Sequence, residues 1–126
     1  MLRCVTLAAA MLAATPAFAQ APARTFPSNA LRGELVVLQP PEILLNGQPW
    51  RLAPGARIRD QQNMLQVSGV LVGLRFLVNY TRDAMGQPLQ VWILTPAEAA
   101  NQPWPVNDVQ AQSWFFDAAA QQWTKP

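Results

Sequence analysis

The chain has 126 residues, with one cysteine, no histidine and a formal net charge of +2. That length suits a single domain. The composition excludes histidine-based nucleophilic sites and zinc or copper centres built on His and Cys. So balanced a charge also gives no electrostatic ground for binding nucleic acid or an anionic membrane.

The first residues carry the three parts of an export signal. Arg3 supplies the positive start, Val5 to Ala14 is apolar or small apart from Thr6, and Ala17-Phe18-Ala19 matches the small-x-small cleavage pattern. Residues 1–19 are therefore expected to be a signal peptide cut after Ala19, leaving Gln20 as the mature N-terminus in the periplasm or the medium. Cys4 precedes the apolar stretch, so it leaves with the leader and is no lipid-attachment site. The mature chain then has no cysteine and no disulfide. No apolar run beyond the leader approaches the ~20 residues of a spanning helix, so no transmembrane span is expected.

Residues 20–30, rich in Ala, Pro and polar side chains, read as a flexible linker. Leu31 to Leu38 begins as an alternation and becomes doubly apolar, a strand ended by Pro40-Pro41. Asn46-Gly47 between two strand-like runs predicts a two-residue type I′ hairpin. That turn fixes a register: Leu45 opposite Gln48, Leu44 opposite Pro49, Ile43 opposite Trp50 and Glu42 opposite Arg51. Pro49 then falls at a non-hydrogen-bonded pair. Pro54-Gly55 predicts a type II turn, and Ala56 to Arg59 a short strand with Ile58 inward. A polar turn at 60–63 and a pairing segment at 64–67 follow.

Val70 to Thr81 has period two, with Val70, Val72, Leu74, Phe76, Val78 and Tyr80 as its core face and Gly73 marking a bend. A loop at 83–86 leads to a return strand over 87–95. Thr95-Pro96-Ala97-Glu98 is a capping-box start for a short helix to about Asn101, stopped by Pro103 and Pro105. Trp114 to Trp123 reads as a hairpin turning near Asp117, with an alanine-rich helix as the competing form.

Five or six short strands with turns between them predict an all-β fold over 31–95. The expectation is a small antiparallel barrel of the OB or SH3-like kind, with a short helix and an aromatic tail over 96–126. The order "LRGELVV", "ILLNGQPWRL", "ARI", "GVLVGLRFLVNY", "VWILTP" resembles small barrel domains of uncharacterised exported bacterial proteins. The resemblance covers 31–95 and implies a fold but no activity.

For chemistry, Ser28, Ser68 and Ser113 have no base at motif spacing, and Lys125 is the only lysine. The seven carboxylates are scattered, mostly in turns and caps. No enzyme activity and no cofactor are expected. Two binding candidates stand out. Arg51, Arg57 and Arg59 would form a basic barrel face for a small anion or oligosaccharide, the competing reading being a solvated face. Trp104, Trp114, Phe115 and Trp123 would form a partner-binding segment, the competing reading being docking on the chain's own barrel. The sequence thus reads as a non-enzymatic exported domain that binds an envelope protein, or alternatively an anionic ligand.

Overall fold

The computed structural model describes residues 24–126. The expected leader, its cleavage site and residues 20–23 lie outside the described residues. The chain is strand-rich with few helices. Strands β1 (Leu31–Val37), β2 (Glu42–Leu45), β3 (Gln48–Arg51), β4 (Arg57–Arg59), β5 (Leu65–Gln66), β6 (Arg75–Arg82) and β7 (Pro88–Ile93) form one sheet. Its order is β3-β2-β1-β6-β7-β4-β5. Strands β8 (Phe115–Asp117) and β9 (Gln122–Thr124) form a separate hairpin, and helices α1 (Pro96–Ala99) and α2 (Asp108–Ser113) lie between the two sheets in sequence. No helix among the described residues is long and apolar enough to cross a membrane.

The β2–β3 hairpin follows from its turn. Asn46 and Gly47 have φ of 53° and 77°, the positive values of a type I′ turn. The register pairs Leu45 with Gln48, Leu44 with Pro49, Ile43 with Trp50 and Glu42 with Arg51, as the turn length requires. Arg51 Nε lies 3.2 Å from Glu42 Oε1. The Asn46 side chain does a second job, since Oδ1 accepts the Glu34 N–H at 2.9 Å and straps the turn to β1. Pro49 directs its missing N–H outward from β3, the sheet's edge, where a foreign strand would otherwise pair.

The expected closed antiparallel barrel of five or six strands is corrected. The sheet has seven strands, is not closed, and is mixed, because β4 runs parallel to β7. The type II turn at Pro54-Gly55, with Gly55 at φ 75°, sends the chain to β7 rather than back along β3. There the Ala53 N–H already bonds to Pro88 O at 2.9 Å. The sheet is nonetheless strongly curled. Ile43 of β2 and Ile58 of β4 share one buried cluster although three strands separate them. Trp50 Nε1, on β3, donates to Gly86 O at 3.1 Å in the β6–β7 loop.

Period-two alternation builds the inner face. Leu31, Tyr80, Val91 and Ile58 are successive cross-strand partners, and all four are buried. Leu35, Val37, Ile43, Leu52, Val78 and Ile93 complete the aliphatic core. The long strand expected from Val70 begins only at Arg75. Ser68–Leu71 is a 3-10 turn, and Gly73 bends the chain at φ 79° with its N–H on Val37 O at 2.8 Å. Val70, Val72 and Leu74 are therefore exposed rather than core, whereas Val78 and Tyr80 are buried as the alternation requires.

The outer face is a second row of partners: Arg32, Asn79, Trp92, Arg59 and Leu65, on β1, β6, β7, β4 and β5. Its central part is covered by the two ends of the described chain. Residues 24–30, expected within a flexible linker, pack here instead. Phe26 and Ala30 are buried with Leu94, Trp104 and Trp123, because this aromatic cluster gives them apolar surface to leave water for. Trp104 sits at its centre, edge-on to Phe26, Phe116 and Trp123, with Nε1 donating to Ala30 O at 3.0 Å.

The tail forms the hairpin reading: Phe116 pairs with Trp123 at a ring separation of 4.7 Å, and Asp117 Oδ1 accepts the turn N–H groups of Ala119 and Ala120. Helix α2 was not among the expected elements. Its signal was present, since Asn107 caps the Gln110 N–H at 2.9 Å in an Asn-x-x-Gln pattern.

Candidate functional site

Two surfaces offer themselves, a cavity on the outer face and an uncharged stretch of chain beside it. The cavity starts from α1. Thr95 Oγ1 accepts the Glu98 N–H at 3.2 Å, and Glu98 Oε1 accepts the Thr95 N–H at 2.9 Å, the reciprocal capping box the sequence announces. This holds the Glu98 carboxylate toward the N-terminal segment, where Arg24 grips both oxygens, with Nε donating to Oε2 at 2.9 Å. Arg24 also donates to Asp60 O at 2.8 Å and Ile93 O at 2.7 Å. One side chain thus ties the start of the described chain to the turn after β4, to β7 and to α1. Burial alone would raise the Glu98 pKa, but the Arg24 and Thr95 hydrogen bonds and the Arg24 charge hold it below the ordinary carboxylate value.

Arg32 is the second guanidinium. It projects from β1 onto the outer face and is only 6% exposed. Nε donates to Asn79 Oδ1 at 3.1 Å, Nη1 to Asn101 O at 2.6 Å and Nη2 to Glu98 O at 3.2 Å, and its plane lies 5.0 Å from the Trp104 ring. All three acceptors are neutral. Burial pushes its pKa down to about 10, partly offset by the Glu98 charge, so it stays a cation at neutral pH. Arg24, Phe26, Arg32, Glu98, Asn101 and Trp104 line a cavity of about 520 Å³, whose rim is completed by the turns at 61–63 and 119–121.

The second surface is the segment from Gln61 to Leu74, which contains no charged residue. Met64, Leu65, Val67, Val70, Val72 and Leu74 are all exposed along it, Val67 by 73%. It includes β5, the free edge of the sheet opposite β3.

The residues singled out from sequence are distributed differently. Arg51 lies on edge strand β3 in its exposed pair with Glu42, while Arg57 and Arg59 lie on β4, near the opposite edge in strand order. Arg57 is exposed. Arg59 is paired across strands with Leu65 and donates to Asn63 O at 3.4 Å. Strand order thus separates Arg51 from the other two. Trp104 and Trp123 are buried in the aromatic cluster, Trp114 is half-buried beneath the Lys125 ammonium at 5.4 Å, and Phe115 is 71% exposed.

Arg24, Arg32 and Glu98 were missed because nothing periodic links them; Arg24 and Glu98 are 74 positions apart. The uncharged run from Gln61 was visible as a run, but its alternating valines and leucines mimic a buried strand. Comparison with protein-family models, curated proteins and solved structures found no match.

Proposed function

We propose that the chain is a non-enzymatic binding domain of the bacterial envelope, exported by its N-terminal leader, and that it docks a partner protein through residues 61–74. The observation that carries the reading is the fourteen-residue uncharged segment bearing six exposed aliphatic side chains. Interface cores are depleted of charge, and a contiguous apolar patch on a folded surface marks an interaction site. The partner is accordingly a protein presenting its own uncharged apolar surface. Phe115, exposed on the separate hairpin, stands as a second contact of the same chemical kind.

A photo-crosslinking residue placed at Val70 tests this in cells producing the full chain. The expected result is a discrete heterologous adduct that disappears when Val67 and Leu74 are changed to Lys, with the Tm within a few degrees of wild type. Adducts that survive those changes, or adducts only to a second copy of the chain, would overturn the reading. Export is tested separately, by N-terminal sequencing of the protein from a periplasmic extract, which is expected to begin at Gln20.

A further inference from the structure

The cavity on the outer face shares only the turn at 61–63 with the docking segment, and its chemistry points to a different ligand. Two guanidiniums line it against one carboxylate. Glu98 is committed to Arg24 through both oxygens. Asp60, which lends its carbonyl to Arg24, keeps its carboxylate on the N–H groups of Gln62 and Met64 and on the Gln66 amide. Arg32 is left as a buried cation whose hydrogen bonds all run to neutral oxygens. Buried charges are normally paired, because desolvation is otherwise uncompensated. A guanidinium has five N–H donors, and three hydrogen bonds from Arg32 engage protein.

A second group in the same cavity lacks a partner. Asn101 donates through Nδ2 to Gln121 O at 2.7 Å, which leaves Oδ1 buried with nothing to accept from. At the rim, Gln62 and Asn63 are exposed. The site therefore presents one net positive charge, one buried acceptor and several amides. Its volume, about 520 Å³, falls within the range of small-molecule sites.

We infer that this cavity binds a small carboxylated sugar, with the carboxylate on Arg32 and hydroxyl groups on Asn101 and the rim amides. A carboxylate supplies the missing counter-charge, and a hydroxyl supplies the donor that Asn101 Oδ1 lacks. Neither a neutral sugar nor a compact inorganic anion meets both requirements.

The test uses thermal shift and calorimetry on the processed protein with D-glucuronate, glucose and sulfate as probes. Changing Arg32 itself endangers folding, so the informative variants are at Ala97, an exposed cavity residue in the first turn of α1. Ala97→Glu adds a negative charge where a helix tolerates it, and Ala97→Lys adds a positive one. Glucuronate is expected to raise the Tm saturably, while glucose and sulfate do not. Ala97→Glu is expected to weaken glucuronate binding about tenfold through like-charge repulsion at the cavity wall, and Ala97→Lys to preserve it. No saturable response to glucuronate, an equal response to glucose or sulfate, or undiminished binding by Ala97→Glu would each overturn the inference. The variants here are at Ala97 and those of the docking test at Val67 and Leu74, which do not line the cavity, so the docking reading stands or falls separately.

Discussion

The two faces of the central sheet are built by different means. The inner face is aliphatic and comes from alternating residues within strands, with Leu31, Tyr80, Val91 and Ile58 meeting across four neighbours. The outer face is aromatic and charged, and its cover comes from the far ends of the described chain, as when the Phe26 N–H reaches Gln121 Oε1 across 95 positions. One face needs only alternation. The other needs particular residues at particular distant places, so it is where single substitutions are most discriminating.

Trp104→Ala is expected to have the largest effect, about 3–5 kcal/mol, because it removes the centre of the aromatic cluster and the bond to Ala30 O. If the faces are separable, hydrogen exchange will rise in residues 24–30 and in β8–β9 while β1 and β6 stay protected. Uniform loss of protection would show that they form a single cooperative unit.

Glu98→Gln comes next, at about 1.5–3 kcal/mol near neutral pH, since it weakens the grip of Arg24 on α1. Its signature is in the acid limb. The Glu98 pKa is depressed in the folded state, so its contribution is complete above the ordinary glutamate value of ~4.3 and is lost as pH falls through the lower folded value. Urea titrations across that range should show a shallower acid decline for Glu98→Gln than for wild type. Parallel curves would mean that the carboxylate does not hold the cover in place.

Gly47→Ala tests the inner-face side and is the smallest, at about 1–2 kcal/mol measured by urea unfolding. A Cβ there meets nothing within 4 Å, so the cost is the backbone alone at φ 77°. A loss several times larger would mean that the β2–β3 turn governs more than its own hairpin.

These differences explain what was legible. The β2–β3 register was readable because a two-residue turn leaves one pairing, and the α1 cap because Thr95, Pro96 and Glu98 act within four positions. Residues 70–74 misled because a period-two run looks the same whether a neighbour covers it or not. Gly73 does bend the chain as its residue type predicts, but the strand starts only after that bend, at Arg75, rather than running through it. The cavity was illegible for a related reason. Arg24 and Arg32 look like ordinary surface cations until tertiary structure brings Glu98, Asn101 and Trp104 around them.

The parallel pairing of β4 with β7 also orders events in time. Arg57 waits for Gln90 and Ile58 for Val91, more than thirty positions downstream, whereas β2 and β3 complete their ladder across a two-residue turn. Ring closure over the longer span carries the greater entropic penalty. A chain emerging N-terminus first would show Ile58 to its surroundings until β7 arrived, next to Leu65 and Val67, which stay exposed even in the finished fold. Chaperones that recognise bare aliphatic chain would have their longest opportunity on this stretch.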